Sequence, residues 1–284
     1  MAIKVHKATH KIINKNGVSL WLPSNIVGGR FNLSDPDIYS QSVTQLYPLG
    51  SKLEFADGRV FRYGKFGATS TSVPLARMVV NANLVPGSAA TNGYEGTLDA
   101  ASNYLAGSTT LILNDTTDRV ENWYEDAMLA VYPSGHFCEY RVLGNEVATS
   151  VDDVTIYLDE PLKTALVVSS TGVTIYPSIY SNLRQAGVAD AGYESAVGVC
   201  LCSGFTSAYF GWVQTWGRCI ITPVAYFGDT ANERGASLWY ADGTICVAGY
   251  GGTTPATGSQ IIGYLTQRTV SAYGDLEVML QLGR

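Results

Sequence analysis

Apolar residues in this chain tend to alternate with polar ones in short runs, and turn formers break the runs. Side chains of a strand point alternately to the two faces of its sheet, so this pattern predicts half-buried β-strands. Between residues 95 and 180 the runs are STTLILN, DAMLAVYP, CEYRVLG, DVTIYLD and GVTIYPS, punctuated by Asn, Asp, Gly and Pro. DRVENWYED reads as a turn capping one of these strands. Strand signals resume in AVGVCLC, AYFGWVQTWG, RCIITPVAY, ASLWYADGTICVAGY, QIIGYLTQRT and LEVMLQLG. Strands do not alternate with helical patterns, which argues against a doubly wound parallel sheet. The expected fold class is all-β: an extended N-terminal arm with a β-hairpin, followed by two antiparallel β-sandwich or barrel domains.

Four segments follow from the same pattern. Residues 1–45 mix short β-like runs with the turn residues Asn16-Gly17, Pro23 and Gly28-Gly29, and read as an extended basic arm that gains order against a partner. Residues 46–88 hold a hairpin and a connecting segment. Residues 89–183 form a sandwich or barrel, and 184–284 a C-terminal β domain. SNLRQAGVADAGYES (181–195) is poor in strand formers and reads as a linker. Residues 71–87 fit either a short helix after Pro74 or a strand leading to Pro86-Gly87.

The hairpin lies in LYPLGSKLEFADGRVFRYGKF (46–66). Asp57-Gly58 favours a two-residue type I′ turn, because both residues tolerate positive φ. That loop would set Phe55 opposite Val60 and Leu53 opposite Arg62. Leu53, Phe55 and Val60 would then line one face, with Phe61 and Tyr63 on the other. Both faces carry apolar residues, and a lone hairpin is marginal in water, so a covering surface is expected on each side.

Composition adds a second theme. Hydrophobic residues make up 46% of the 284 and charged residues 15%, against about 25% charged in an ordinary soluble domain. Such a surface suits a protein covered by neighbours. Ten Lys/Arg and four Asp/Glu give residues 1–77 a net charge of +6, which leaves −12 for the rest. This asymmetry predicts that the basic segment, with Lys4, Lys7, Lys11, Lys15 and Arg30, lies on an acidic protein surface. An acidic body would be repelled by nucleic acid, so none is expected as a direct partner. No run reaches the length of a membrane span, and MAIKVHKATHKIINKNG lacks a signal-type apolar core, so a soluble protein made in the cytosol is expected.

Catalytic signals are weak. His6 and His10 have H-x-x-x-H spacing but sit in a β-like basic arm without an acidic neighbour. His136 lies near Cys138 without a nucleophile elbow. Glu125-Asp126, Asp152-Asp153 and Asp159-Glu160 lack calcium-loop spacing and read as acidic turns. The five cysteines are irregularly spaced, and Cys200-x-Cys202 reads as a pair of small buried hydrophobes. AGYGGTTPATG (248–258) lacks the P-loop lysine. No enzyme activity, cofactor or metal is expected. Trp212 and Trp216, four apart on one strand, would share a face. With Tyr209, Phe210 and Trp239 they would line a core, an interface between copies, or a sugar-binding face.

YPLGSKLEFADGRVFRYGK (47–65), LDEPLKTAL (158–166) and AYFGWVQTWGRC (208–219) together resemble a virion protein of tailed bacteriophages. The part from AVGVCLC to LEVMLQLG is similar in style to head-decoration, or cement, proteins. The resemblance implies a structural protein on the capsid exterior, made in the host cytoplasm. It would bridge capsomers as a trimer and contact the major capsid protein and other copies of itself. The expected interface residues are then Lys4, Lys7, Lys11, Lys15, Arg30, Leu53, Phe55, Arg59, Phe61, Arg62, Tyr63, Trp212 and Trp216. The alternative is a tail or fibre adhesion module that binds a host-surface glycan.

Overall fold

The computed structural model describes residues 10–23, 35–67, 75–81, 93–99, 104–133, 137–149, 153–168, 171–185, 195–202, 204–223, 235–238, 243–247, 260–267 and 276–284. The fold is all-β, built from antiparallel sheets. Strands β1 (His10–Lys15), β2 (Val18–Pro23), β3 (Gln41–Ser42), β4 (Lys52–Phe55), β5 (Val60–Lys65) and β6 (Arg77–Asn81) come first. Then follow β7 (Tyr94–Thr97), β8 (Thr110–Leu113), β9 (Met128–Tyr132), β10 (Cys138–Asn145), β11 (Val154–Leu158) and β12 (Gly172–Tyr176). The last are β13 (Leu183–Gln185), β14 (Ala196–Cys200), β15 (Phe210–Ile221), β16 (Gly235–Leu238), β17 (Ile245–Val247), β18 (Ile261–Gln267) and β19 (Leu276–Gln281).

The four sequence segments resolve into two compact units. One groups Leu84–Ser178 with Met1–Lys11 and Leu22–Arg30; the other joins Ile12–Trp21, Phe31–Asn83 and Ile179–Arg284. The stretch Leu84–Ser178 is therefore inserted between two stretches of the larger unit. The chain leaves the larger unit after β6 and re-enters it on β13, which pairs with β6 (Leu183 opposite Asn81). Residues 77–81 are thus a strand, and residues 183–185, read as linker, are one too.

The N-terminal segment differs from a free arm over residues 10–23. Asn16 (φ 51°) and Gly17 (φ 76°) close a tight turn between β1 and β2, and β2 continues the sheet beside β4. Leu20 is buried opposite Leu53, and Trp21 stands opposite Lys52, whose ammonium lies 5.1 Å from the indole ring. Residues 1–9 and 24–34 lie outside the described residues.

The β4–β5 register also departs from expectation. Lys52 faces Arg62, Leu53 faces Phe61 and Glu54 faces Val60. Phe55 N–H donates to the Arg59 carbonyl at 2.9 Å, so the loop is Ala56, Asp57 and Gly58, with Gly58 at φ 86°. A three-residue loop with a left-handed glycine replaces the two-residue turn. Shifting the register by one swaps the face of a strand, which brings Leu53, Phe55, Phe61 and Tyr63 together. Phe55 and Phe61 meet edge to face at 5.4 Å, and the Arg59 guanidinium covers Phe55 at 5.0 Å.

Strand β15 is the spine of the larger unit. It pairs with β3, β5, β14 and β19. Its register shifts between Gln214 and Trp216, a bulge followed by Gly217 at φ 91°. The extra residue puts Trp216 opposite Val60, on the other face of the sheet from Trp212, which lies opposite Tyr63. Two apolar clusters flank the sheet. One gathers Met78, Val199, Cys219, Ile221, Ile262 and Val278; the other gathers Phe66, Val79, Leu183, Phe205 and Val213.

The inserted unit is a six-stranded antiparallel sheet in the order β7-β12-β9-β10-β11-β8. It curls until its two ends meet. Leu98 bridges Leu113, Asp99 N–H donates to the Ile112 carbonyl at 2.9 Å, and Asn114 N–H donates to that of Thr97 at 3.1 Å. A small barrel results, which removes the free edges. A register shift between Val142 and Gly144 lets β10 bend and serve both β9 and β11. The interior is filled from alternate positions by Leu111, Leu113, Leu129, Val131, Tyr140, Val142, Ile156, Val173 and Ile175.

Candidate functional site

The expected interface residues separate into interior and surface groups. Leu53, Phe61, Tyr63 and Trp212 are buried within the larger unit. The Tyr47, Tyr63 and Trp212 rings pack at 5.1–5.2 Å, and the Tyr63 hydroxyl accepts from the Leu46 N–H. These side chains hold one chain together. The described members of the aromatic sugar-face set do not form one platform, because Trp212 is internal and the bulge turns Trp216 to the opposite face. Phe55, Arg59, Arg62 and Trp216 are half-buried. Arg62 donates to the carbonyls of Gly50 and Arg284. Lys11 and Lys15 are exposed, and Lys15 pairs with Asp35 at 2.7 Å. Lys4, Lys7 and Arg30 lie outside the described residues, as do Trp239, His6, His136 and residues 248–258.

The candidate chemical groups have structural partners. Asp126 accepts from Arg141 (2.5 and 2.8 Å) and from the Ser178 hydroxyl (2.7 Å). Burial is the main reason the Asp159 carboxyl sits above the usual aspartate range. Glu160 adds to the rise, and the Arg141 N–H opposes it. The Cys200 thiol donates to the Cys202 carbonyl at 2.9 Å, and both cysteines are buried and outside any disulfide. Among the described residues, no three or more His, Cys, Asp or Glu side chains gather as a metal site.

Inside the barrel, Asp115, Arg119 and Tyr124 form a closed polar cluster. Asp115 Oδ2 accepts from Arg119 Nε at 2.7 Å and from the Tyr124 hydroxyl at 2.6 Å. Thr117 N–H supplies the other oxygen at 3.1 Å. Burial acts to raise the Asp115 pKa, but the hydrogen bonds from Tyr124 and Arg119 outweigh it and hold the carboxyl below the usual range. The cluster satisfies its own charges and is a structural pin.

Charge is sharply divided along the sequence. Leu84–Ser178 holds three Lys/Arg and thirteen Asp/Glu, a net of −10, while the remainder holds fifteen and eleven, a net of +4. Two of the three barrel cations, Arg119 and Arg141, are tied to aspartates. Sequence reasoning missed the outward barrel face carrying Tyr132, Tyr176, Met128 and Phe137, all exposed. The signal was present: Met128 and Tyr132 occupy alternate positions of DAMLAVYP, opposite in phase to the buried Leu129 and Val131. No family model, curated protein or solved structure matches this chain.

Proposed function

We propose that this protein is a structural component of a tailed-phage particle. It coats the outside of the head as a decoration or cement protein, binding the major capsid protein and other copies of itself, with a trimer as the assembly unit. The observation that carries this reading is the division of charge along the chain, −10 over residues 84–178 and +4 over the remainder. Opposite charge on two parts of one polypeptide favours contacts between neighbours on a lattice, sets their register and speeds docking. Stable interfaces bury roughly 1,200–2,000 Å² in total. Repeating modest contacts across a shell multiplies their effect through high local concentration. The resemblance of residues 47–65, 158–166 and 208–219 to a phage virion protein supports the same assignment.

The test is co-sedimentation of the purified chain with phage heads that lack it. Saturable binding that weakens as salt rises is expected. Heads that recover no protein at low salt would refute the assignment.

A further inference from the structure

We propose that the outward face of strands β7, β12, β9 and β10 of the barrel binds a basic segment of a second copy of this chain. The proposal rests on the assembly reading above and names the surface that serves it. The β-ladder fixes the layout of this face. One row across the four strands runs Glu95, Thr174, Ala130, Glu139. The next row on one side carries Thr97, Gly172 and Tyr132; on the other side Tyr176, Met128 and Arg141 lie in line.

The two middle residues of the central row, Thr174 and Ala130, are small, and Ala130 is 2% exposed. Tyr132 and Tyr176 stand on either side, and their hydroxyls hydrogen bond to each other. Phe137 extends the aromatic wall, its ring 5.4 Å from that of Tyr132. These side chains are 42–54% exposed, with Met128 at 45%. An exposed carboxylate, Glu95 or Glu139, stands at each end of the row. Arg141, the cation on this face, is held by Asp126.

The chemistry of this face selects its occupant. Tyrosine faces attract ammonium and guanidinium groups as well as apolar stems. Carboxylates at both ends add attraction for cations and repel acidic segments. A net charge of −10 over residues 84–178 repels nucleic acid and anionic surfaces. The chain itself supplies the complement, since its first 77 residues carry +6. A second copy therefore brings a basic segment to an acidic, aromatic face.

Sedimentation equilibrium of the full chain at 50 and 500 mM NaCl tests this. Association is expected at the lower salt and should weaken at least tenfold at the higher, where screening shortens the reach of these charges. Glu95→Lys with Glu139→Lys should weaken it at least tenfold with an unchanged melting curve. Tyr132→Ser with Tyr176→Ser should do the same. Because both glutamates are exposed, the charge variant tests the face even if the tyrosine variant is destabilised. A monomer at both salts, salt-independent association, or association kept by the charge variant would overturn the proposal. Phage heads are not needed, so failure here is distinct from failure of head binding.

Discussion

Replacing Arg119 by Met should unfasten the barrel. Arg119 and Asp115 are 7% and 4% exposed, and their Nε–Oδ2 distance is 2.7 Å. The methionine fills most of the space but leaves the Asp115 carboxylate with only Tyr124 and the Thr117 N–H. Removing one partner of a buried ion pair costs about 3–5 kcal/mol, because the remaining charge stays desolvated. A domain of this size has roughly 5–15 kcal/mol in total. Each kcal/mol shifts the melting point of a 60–100-residue domain by about 4–8 °C, so a fall of at least about 12 °C is expected.

The pH dependence carries a second signature. The Asp115 carboxyl is more acidic folded than unfolded, so it stabilises the fold above the ordinary aspartate value of about 4. That contribution is lost as pH falls through the lower folded value. In Arg119→Met the burial effect is no longer outweighed by the guanidinium, and protonation relieves the stranded charge. The gap between wild type and variant should therefore narrow in acid. Hydrogen exchange of peptides spanning 104–133, followed through a denaturant series at pH 7 and pH 4, measures both effects. A variant within 1 kcal/mol of wild type, or a gap that does not change with pH, would refute the reasoning.

Other outcomes follow from the backbone and the thiols. A Cβ at Gly217 would lie 2.9 Å from Arg59 Cα and 3.1 Å from the Gly58 carbonyl, on a residue at φ 91°. Gly217→Ala should thus lower stability by about 2 kcal/mol or more in urea melts, beyond the 1–2 kcal/mol of left-handed strain alone. Gly58→Ala, where no described atom lies within 4 Å, should cost only that strain. Burial pushes the Cys219 thiol up to about 12 and that of Cys246 up to about 11. Iodoacetamide at pH 8 should label half-buried Cys138 first and reach Cys200, Cys219 and Cys246 only on unfolding; early labelling at Cys219, read by mass spectrometry, would contradict the packing. Because Leu183 pairs with Asn81, replacing residues 84–178 by a short Gly-Ser loop should leave a larger unit that still unfolds cooperatively; a molten product would contradict it.

The strands were readable where alternation was clean. DAMLAVYP, DVTIYLD and GVTIYPS become β9, β11 and β12, and DRVENWYED forms the turn expected of it. Registers were less readable. Asp57-Gly58 fits both a two- and a three-residue loop locally, and the choice was made by packing Leu53 against Phe61. The bulge at Gln214–Trp216 has no sequence mark except Gly217, so the faces of Trp212 and Trp216 were misassigned. Least readable was the insertion. The pairings of β5 with β15 and of β6 with β13 and β14 join residues more than a hundred positions apart, and alternation within one run carries no information about its partner. For the same reason the outward barrel face was missed, since Glu95, Thr174, Ala130 and Glu139 come from four separate strands.

Electron cryo-microscopy of particles made with and without this protein tests the assigned role most directly. The expected result is density on the outer surface of the head, over the junctions between capsomers, present only when the chain is present. Difference density confined to the tail, or an unchanged head surface, would contradict it.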